Sequence, residues 1–265
     1  MIDWSERDGI WELRLARPPL NEIGLDLVAG LERFLDEVET RGARAVVMYS
    51  ALDRGFCAGA DLRALHAGIV GRASGEWLPQ LRSFLDRIHG VMDRLDALPC
   101  TTIGAIHGVC FGGGFELALT LDVRVADKTA RFGFPELRLG IIPGFGGIPR
   151  LSREAPAGLV RDLVLTGRSL NAARAHALGL VSQLVGKGEA LAVAREVARQ
   201  VTHFDSVTQA RAKAFLKRVP KEELAREKDE FLALFARPGV VEALGRFVTS
   251  TDQMPYLPAR DAETP

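Results

Sequence analysis

The chain has 265 residues, 47% of them hydrophobic and 26% charged, and its 34 Lys and Arg balance its 34 Asp and Glu. That length allows one large domain with an appended subdomain and a sizeable core. A net charge of zero gives no support for a nucleic-acid surface or a polybasic membrane patch. Three cysteines (Cys57, Cys100 and Cys110), with no CxxC and no paired His spacing, argue against a disulfide framework or a zinc site. They fit a reducing cytoplasm. No apolar stretch approaches the ~18 residues of a membrane span. The N-terminus, charged at Asp3, Glu6, Arg7 and Asp8, does not read as a secretory signal.

In chain order, Trp11, Leu13 and Leu15 alternate with Glu12 and Arg14, which predicts a half-buried strand ended by Pro18 and Pro19. Leu27, Leu31, Phe34, Leu35 and Val38 then fall on one helical face, and Gly42 closes that helix. Strands are expected at "ARAVVMYS" (43–50), "TTIGAIHG" (101–108) and "LDVRVAD" (121–127), with a helix ending at Pro99 before the second. Gly68 to Gly75 reads as a flexible loop. A short helix from Asn171, stopped by Gly179, leads to a last strand. Helical patterns then follow one another at 189–202, 206–218, 221–236 and 240–250, and the tail 256–265 reads as poorly ordered. Strands alternating with helices before a helical tail indicate an α/β core with an α-helical C-terminal subdomain.

Three glycine-dense segments interrupt these elements: "FCAGADL", "GVCFGGGFE" and "GIIPGFGGIPRL". None is a P-loop or a dinucleotide fingerprint. Glycine in such turns lets backbone N–H groups approach a ligand, as an oxyanion hole requires, although any one of the three alone reads as a tight turn. Glu116 follows one turn and Glu136 precedes another, both among apolar neighbours. Two carboxylates in a desolvated pocket can divide acid and base roles. Their spacing does not show that they meet, and capping or pairing with Arg124 or Arg138 is the plainer reading of the residues alone. His107 reads as structural, His66 as a surface residue, and Cys57 and Cys110 as small packing residues.

The segments "GFCAGADLRAL" (55–65), "AIHGVCFGGGFELALTLDVRVA" (105–126), "RFGFPELRLGIIPGFGGIPRL" (131–151) and "LTGRSLNAARAHALGLVSQLV" (165–185) resemble, in order and spacing, the crotonase superfamily of enoyl-CoA hydratases and isomerases. The resemblance implies a crotonase-like right-handed spiral of ββα turns over residues 1–200, carrying an acyl-CoA site. It also implies a helical subdomain over 201–265 that builds a homotrimer or a hexamer. By the match, the N–H groups of Ala60 and Gly113 form the oxyanion hole for the thioester oxygen. The residue matching Glu116 activates water, and the one matching Glu136 exchanges the proton at Cα. Ala58, Leu62, Gly112 and Gly144 are expected to line the site, and Arg63 and Phe247 to help bind coenzyme A. Asp61 is expected to cap the following helix, with a contact to coenzyme A as a second role. Trp77, with Leu78, is expected to face an acyl pocket formed by a loop over 65–78. Two departures stand out: Glu22 replaces a small residue near "RPPLNEIG", and Ser/Thr replaces the usual C-terminal lysine after Phe247.

Because both glutamates are kept, the expected reaction is reversible hydration of a 2-enoyl-CoA without a metal or redox cofactor, coenzyme A being part of the substrate. Within the same fold the alternatives are an enoyl-CoA isomerase using Glu136 alone, or a hydratase for branched, cyclic or carrier-tethered acyl groups. A non-catalytic RNA-binding or structural homologue is the alternative from a different class.

Overall fold

The computed structural model describes residues 2–250. The tail over 256–265 lies outside them. The chain opens with an antiparallel pair, β1 (Ile2–Arg7) and β2 (Ile10–Leu15). Trp11, Leu13 and Leu15 are buried, as the alternation predicts; β1 buries none of its residues completely and left no apolar pattern to read. Helix α1 (Leu25–Arg41) buries the expected face, and Gly42 ends it at a φ of 78°, its N–H donating to Val38 O.

Three ββα turns follow. The first is β3 (Ala45–Ser50), β4 (Gly55–Cys57), α2 (Leu62–Ile69) and α3 (Ser74–Ala97). The second is β5 (Thr101–Ile106), β6 (Val109–Phe111) and α4 (Gly113–Leu119). The third is β7 (Val123–Asp127), β8 (Arg131–Gly133), a 3-10 turn at Glu136–Leu139 and α5 (Gly147–Glu154). Each turn gives its longer strand to one sheet and its three-residue strand to another. After α6 (Ala157–Thr166), β9 (Ser169–Asn171), α7 (Ala172–Ala177) and β10 (Gln183–Val185) complete the two sheets. Their orders are β1-β2-β3-β5-β7-β10 and β4-β6-β8-β9. All pairings are parallel except β1 with β2 and β8 with β9. This is the crotonase-like spiral.

Both faces of the long sheet are covered, which is why its strands read as continuous apolar runs. Val46 and Met48 face the main core, while Ala45, Val47, Ile103, Ala105 and Val125 face α8 (Ala190–Val201) through Ala190, Ala194 and Ala198. The three alanines let this helix lie close against the strands. The chain ends in α9 (Ser206–Leu216), α10 (Lys221–Phe235) and α11 (Pro238–Thr249).

Two expectations need correcting. The loop expected over 68–75 is confined to 70–73, and the acyl-pocket loop expected over 65–78 is mostly helical: α2 runs to Ile69 and α3 already includes Gly75, Trp77 and Leu78. The apolar residues of the C-terminal helices divide between the core and the surface. Phe231 and Phe235 are buried within the chain, whereas Phe215 and Leu216 stand 80% and 79% exposed.

Candidate active site

Helix α4 and the 3-10 turn at Glu136–Leu139 start just past the ends of β6 and β8 in the short sheet, and this junction sets the site. The three glycines at the start of α4, its N-cap Gly112 and then Gly113 and Gly114, are each required by a different neighbour. A Cβ on Gly114 would lie 2.2 Å from the Cys57 carbonyl oxygen, so α4 packs against bare backbone of the first turn. Gly112 has a φ of 51°, and a Cβ there would lie 2.6 Å from Glu136 Oε1. A Cβ on Gly113 would lie 2.8 Å from the Phe145 ring and 3.4 Å from Ala60 N.

The amides of Ala60 and Gly113 are therefore neighbours on one wall. Gly113 opens α4, so its N–H has no acceptor inside the helix. Next to Ala60, the Asp61 and Leu62 amides are taken by Ile23 O and Ala60 O. Among the described residues neither the Ala60 nor the Gly113 amide donates to a protein acceptor.

Ala60 and Gly113 line a cavity that Glu116 and Glu136 also line. Phe84, Phe145, Phe231 and Phe235 form much of its apolar wall. Glu116, 2% exposed, has its Oε1 fixed by two amides of the glycine-rich loop, Phe145 N at 2.8 Å and Gly147 N at 2.7 Å. Its Oε2 takes neither bond. The Glu136 carboxyl enters from the 3-10 turn, and its Oε2 is buried with no hydrogen-bond partner among the described residues.

The environments push the two acids apart. Burial raises the Glu116 carboxyl from its ordinary 4.5 to about 7, against the pull of its two amide donors and of Arg150. Burial raises Glu136 well above its ordinary value, and the charges of Glu116 and Glu227 push it further the same way. Above about pH 7 Glu116 carries its charge, and that charge favours the protonated form of Glu136, a division suited to base and acid.

The same shift predicts a stability effect. Between pH 4.5 and about 7 the folded protein holds a Glu116 proton that the unfolded chain has released, so this group's contribution to stability falls as pH rises. Glu116→Gln removes that cost. Its Tm is expected to exceed that of the wild type by on the order of 5 °C at pH 8, with the gap closing toward pH 4. Thermal melts across that range check this.

The remaining expected residues divide into groups. Ala58, Ala60, Leu62, Gly112, Gly113, Gly144 and Phe247 line the same cavity as the two glutamates. Asp61 and Trp77 line an adjoining one instead, reached past Ala60, Leu65, Leu81 and Phe84. Trp77 is buried, with its ring edge-on to Phe235 at 5.8 Å. Asp61 caps α2 through the Ala64 amide and pairs with Arg17 at 2.6 Å. Arg63 lines neither cavity and donates to Val248 O at 2.6 Å.

A family model described as enoyl-CoA hydratase/isomerase matches residues 5–252. The chain belongs to the enoyl-CoA hydratase/isomerase family. It is 32% identical over 238 residues to the short-chain-enoyl-CoA hydratase of Clostridium acetobutylicum, covering 86% of this chain and 87% of that protein. It is 35% identical over 195 residues to a probable enoyl-CoA hydratase 2, mitochondrial, of Arabidopsis thaliana, covering 73% of this chain. The match spans 62% of the Arabidopsis protein's length, less than two thirds. Among solved structures, an enoyl-CoA hydratase from Bacillus anthracis is 29% identical with a TM-score of 0.75, covering 93% of this chain and 95% of that one. An enoyl-CoA hydratase from Bacillus halodurans, 22% identical, shares the fold with a TM-score of 0.83, covering 92% and 98%.

His107 Nε2 lies 2.8 Å from Leu52 O, in a structural role. Cys57 and Cys110 are buried; desolvation raises the Cys57 thiol to about 12 and Cys110 well above its usual value, so neither is a thiolate nucleophile. Arg124 pairs with Glu154 rather than with Glu116. A third buried acid near the site, Glu227 on α10, is absent from the sequence reading. Its signal was an acid in an apolar helical stripe, three residues after Leu224 and four before Phe231.

Proposed function

We propose that the protein hydrates a 2-enoyl-CoA reversibly to a 3-hydroxyacyl-CoA, with Glu116 as base, Glu136 as acid, and the amides of Ala60 and Gly113 as the oxyanion hole. The observation that carries this reading is the convergence of two carboxylates and two unused amides on one apolar cavity. The thioester oxygen accepts from both amides. Glu116 takes a proton from water, whose oxygen bonds to Cβ, and the double-bond electrons move onto the thioester as an enolate. Donors aimed at that oxygen stabilise the charge where it develops. Glu136 then protonates Cα. The two acids have exchanged protonation states, so one proton must pass back between them before the next turnover. No step uses a metal or redox cofactor.

The cavity holds about 70 Å³, with aromatic rings at its wall, and suits a short acyl group. Following loss of the conjugated-enoyl absorbance over a chain-length series, kcat/KM is expected to be greatest for short substrates. Rising kcat/KM with chain length would contradict that size assignment, and no absorbance loss with any member would contradict hydration.

For assembly we propose a homotrimer or a dimer of trimers. The exposed apolar residues Phe204, Val207, Phe215 and Leu216, on and beside α9, support it, because such patches mark interfaces. Light scattering at micromolar protein is expected to show three or six chains. A monomer would count against the proposal.

A further inference from the structure

Four successive backbone amides entering α5 are shared alternately between two carboxylates. Phe145 N and Gly147 N donate to Glu116 Oε1, while Gly146 N and Ile148 N donate to Glu227 Oε1 and Oε2 at 2.7 and 2.8 Å. Glu227 is 5% exposed and stands between Leu224 and Phe231 on one face of α10. That face fits the loop closely. A Cβ on Gly144 would lie 2.4 Å from Phe231 Cδ2, and one on Gly146 would lie 2.6 Å from Leu224 Cδ2.

We propose that Glu227 is a positioning residue for Glu116: by holding the Gly146 and Ile148 amides, it fixes the peptide orientations that aim the intervening amides at one oxygen of the reacting carboxylate. The role of Glu116 in this statement rests on the function proposed above. A helix start exposes amides that lack intrahelical acceptors and carries partial positive charge. Two acids approaching from opposite sides satisfy those amides as a set. If Glu227 lets go, the loop is free to turn at Gly146, whose φ is 100°, and Glu116 loses its own pair of donors. A carboxylate deprived of hydrogen-bond donors titrates at higher pH, leaving less base at neutrality.

The charged and titratable groups facing this cluster are few. Glu116 comes from α4, Glu136 from the 3-10 turn, and Arg150 from α5. From α3 come Asp93 and Asp96, both bonded to Arg150, and His89, whose Nε2 lies 2.8 Å from Gly144 O. On α10, Lys228 next to Glu227 pairs with Asp86.

The test is a carbon-13 NMR titration of the glutamate carboxyls in the full chain without substrate, run beside steady-state hydration kinetics. Glu116→Gln assigns the Glu116 signal. Glu227→Asp keeps the carboxyl but falls one methylene short. In that variant the Glu116 midpoint is expected to rise by about half a pH unit or more. At pH 7 its kcat is expected to fall at least ~10-fold while KM changes less than about threefold. Glu227→Gln keeps the length but turns one of the two accepting oxygens into an NH2 that cannot accept, so one loop amide is released and kcat is expected to fall in this variant too. A folded Glu227→Asp protein with an unchanged Glu116 midpoint and wild-type kcat overturns the proposal. If neither variant folds, Glu227 is a folding determinant and the positioning role is rejected. Should the wild type hydrate no enoyl-CoA, the functional reading fails while the titration still decides the positioning role.

Discussion

Glu116→Gln is expected to lower kcat for enoyl-CoA hydration by about 10³, with KM changing little. The side chain keeps its volume, and its carbonyl oxygen can still accept from Phe145 N and Gly147 N, so the loop stays in place. Only the ability to take a proton from water is lost. Glu136→Gln is expected to cost a comparable factor for a different reason: an amide in that pocket cannot protonate Cα. In the wild type the acid limb of kcat should fall near pH 7, where Glu116 loses its charge. A pH-rate profile with an acid limb near 4.5 would contradict the assigned base.

The second large effect is at Gly113. Gly113→Val is expected to reduce kcat/KM by about 10³ or more, because the added side chain stands between the two oxyanion amides and the thioester. A Cβ there meets the Phe145 ring at 2.8 Å, so the variant also disturbs a donor to Glu116 and is expected to lose on the order of 1–3 kcal/mol of stability. Circular dichroism separates the two effects. A folded Gly113→Val protein with full activity would remove Gly113 from the proposed hole.

Much of this architecture was legible in the sequence because burial on one or both faces leaves a period. Trp11, Leu13 and Leu15 gave β2, the Leu27-to-Val38 stripe gave α1, and the apolar runs gave β3, β5 and β7. The short sheet was not legible. Its strands are three residues long and border glycine turns, so no pattern has room to repeat. Gly68, Gly71 and Gly75 made the α2–α3 region look like a loop, yet Ile69, Trp77 and Leu81 anchor it as helix through tertiary burial.

The site shows the same division. Residue types and neighbours marked Glu116 and Glu136 as unusual, but only the spiral brings positions twenty residues apart into one cavity. The family resemblance supplied that expectation; spacing did not. Glu227 stayed hidden because an acid in a helix reads as solvent-facing unless its packing partner is known. What it meets is a loop with amides to offer.

The most direct test of the central claim compares hydration of a short 2-enoyl-CoA with isomerisation of a 3-enoyl-CoA, for the wild type, Glu116→Gln and Glu136→Gln. The account predicts that the wild type hydrates and that each substitution abolishes most of that activity. A wild-type protein that isomerises but hydrates no enoyl-CoA, with Glu116→Gln nearly unaffected, would contradict it.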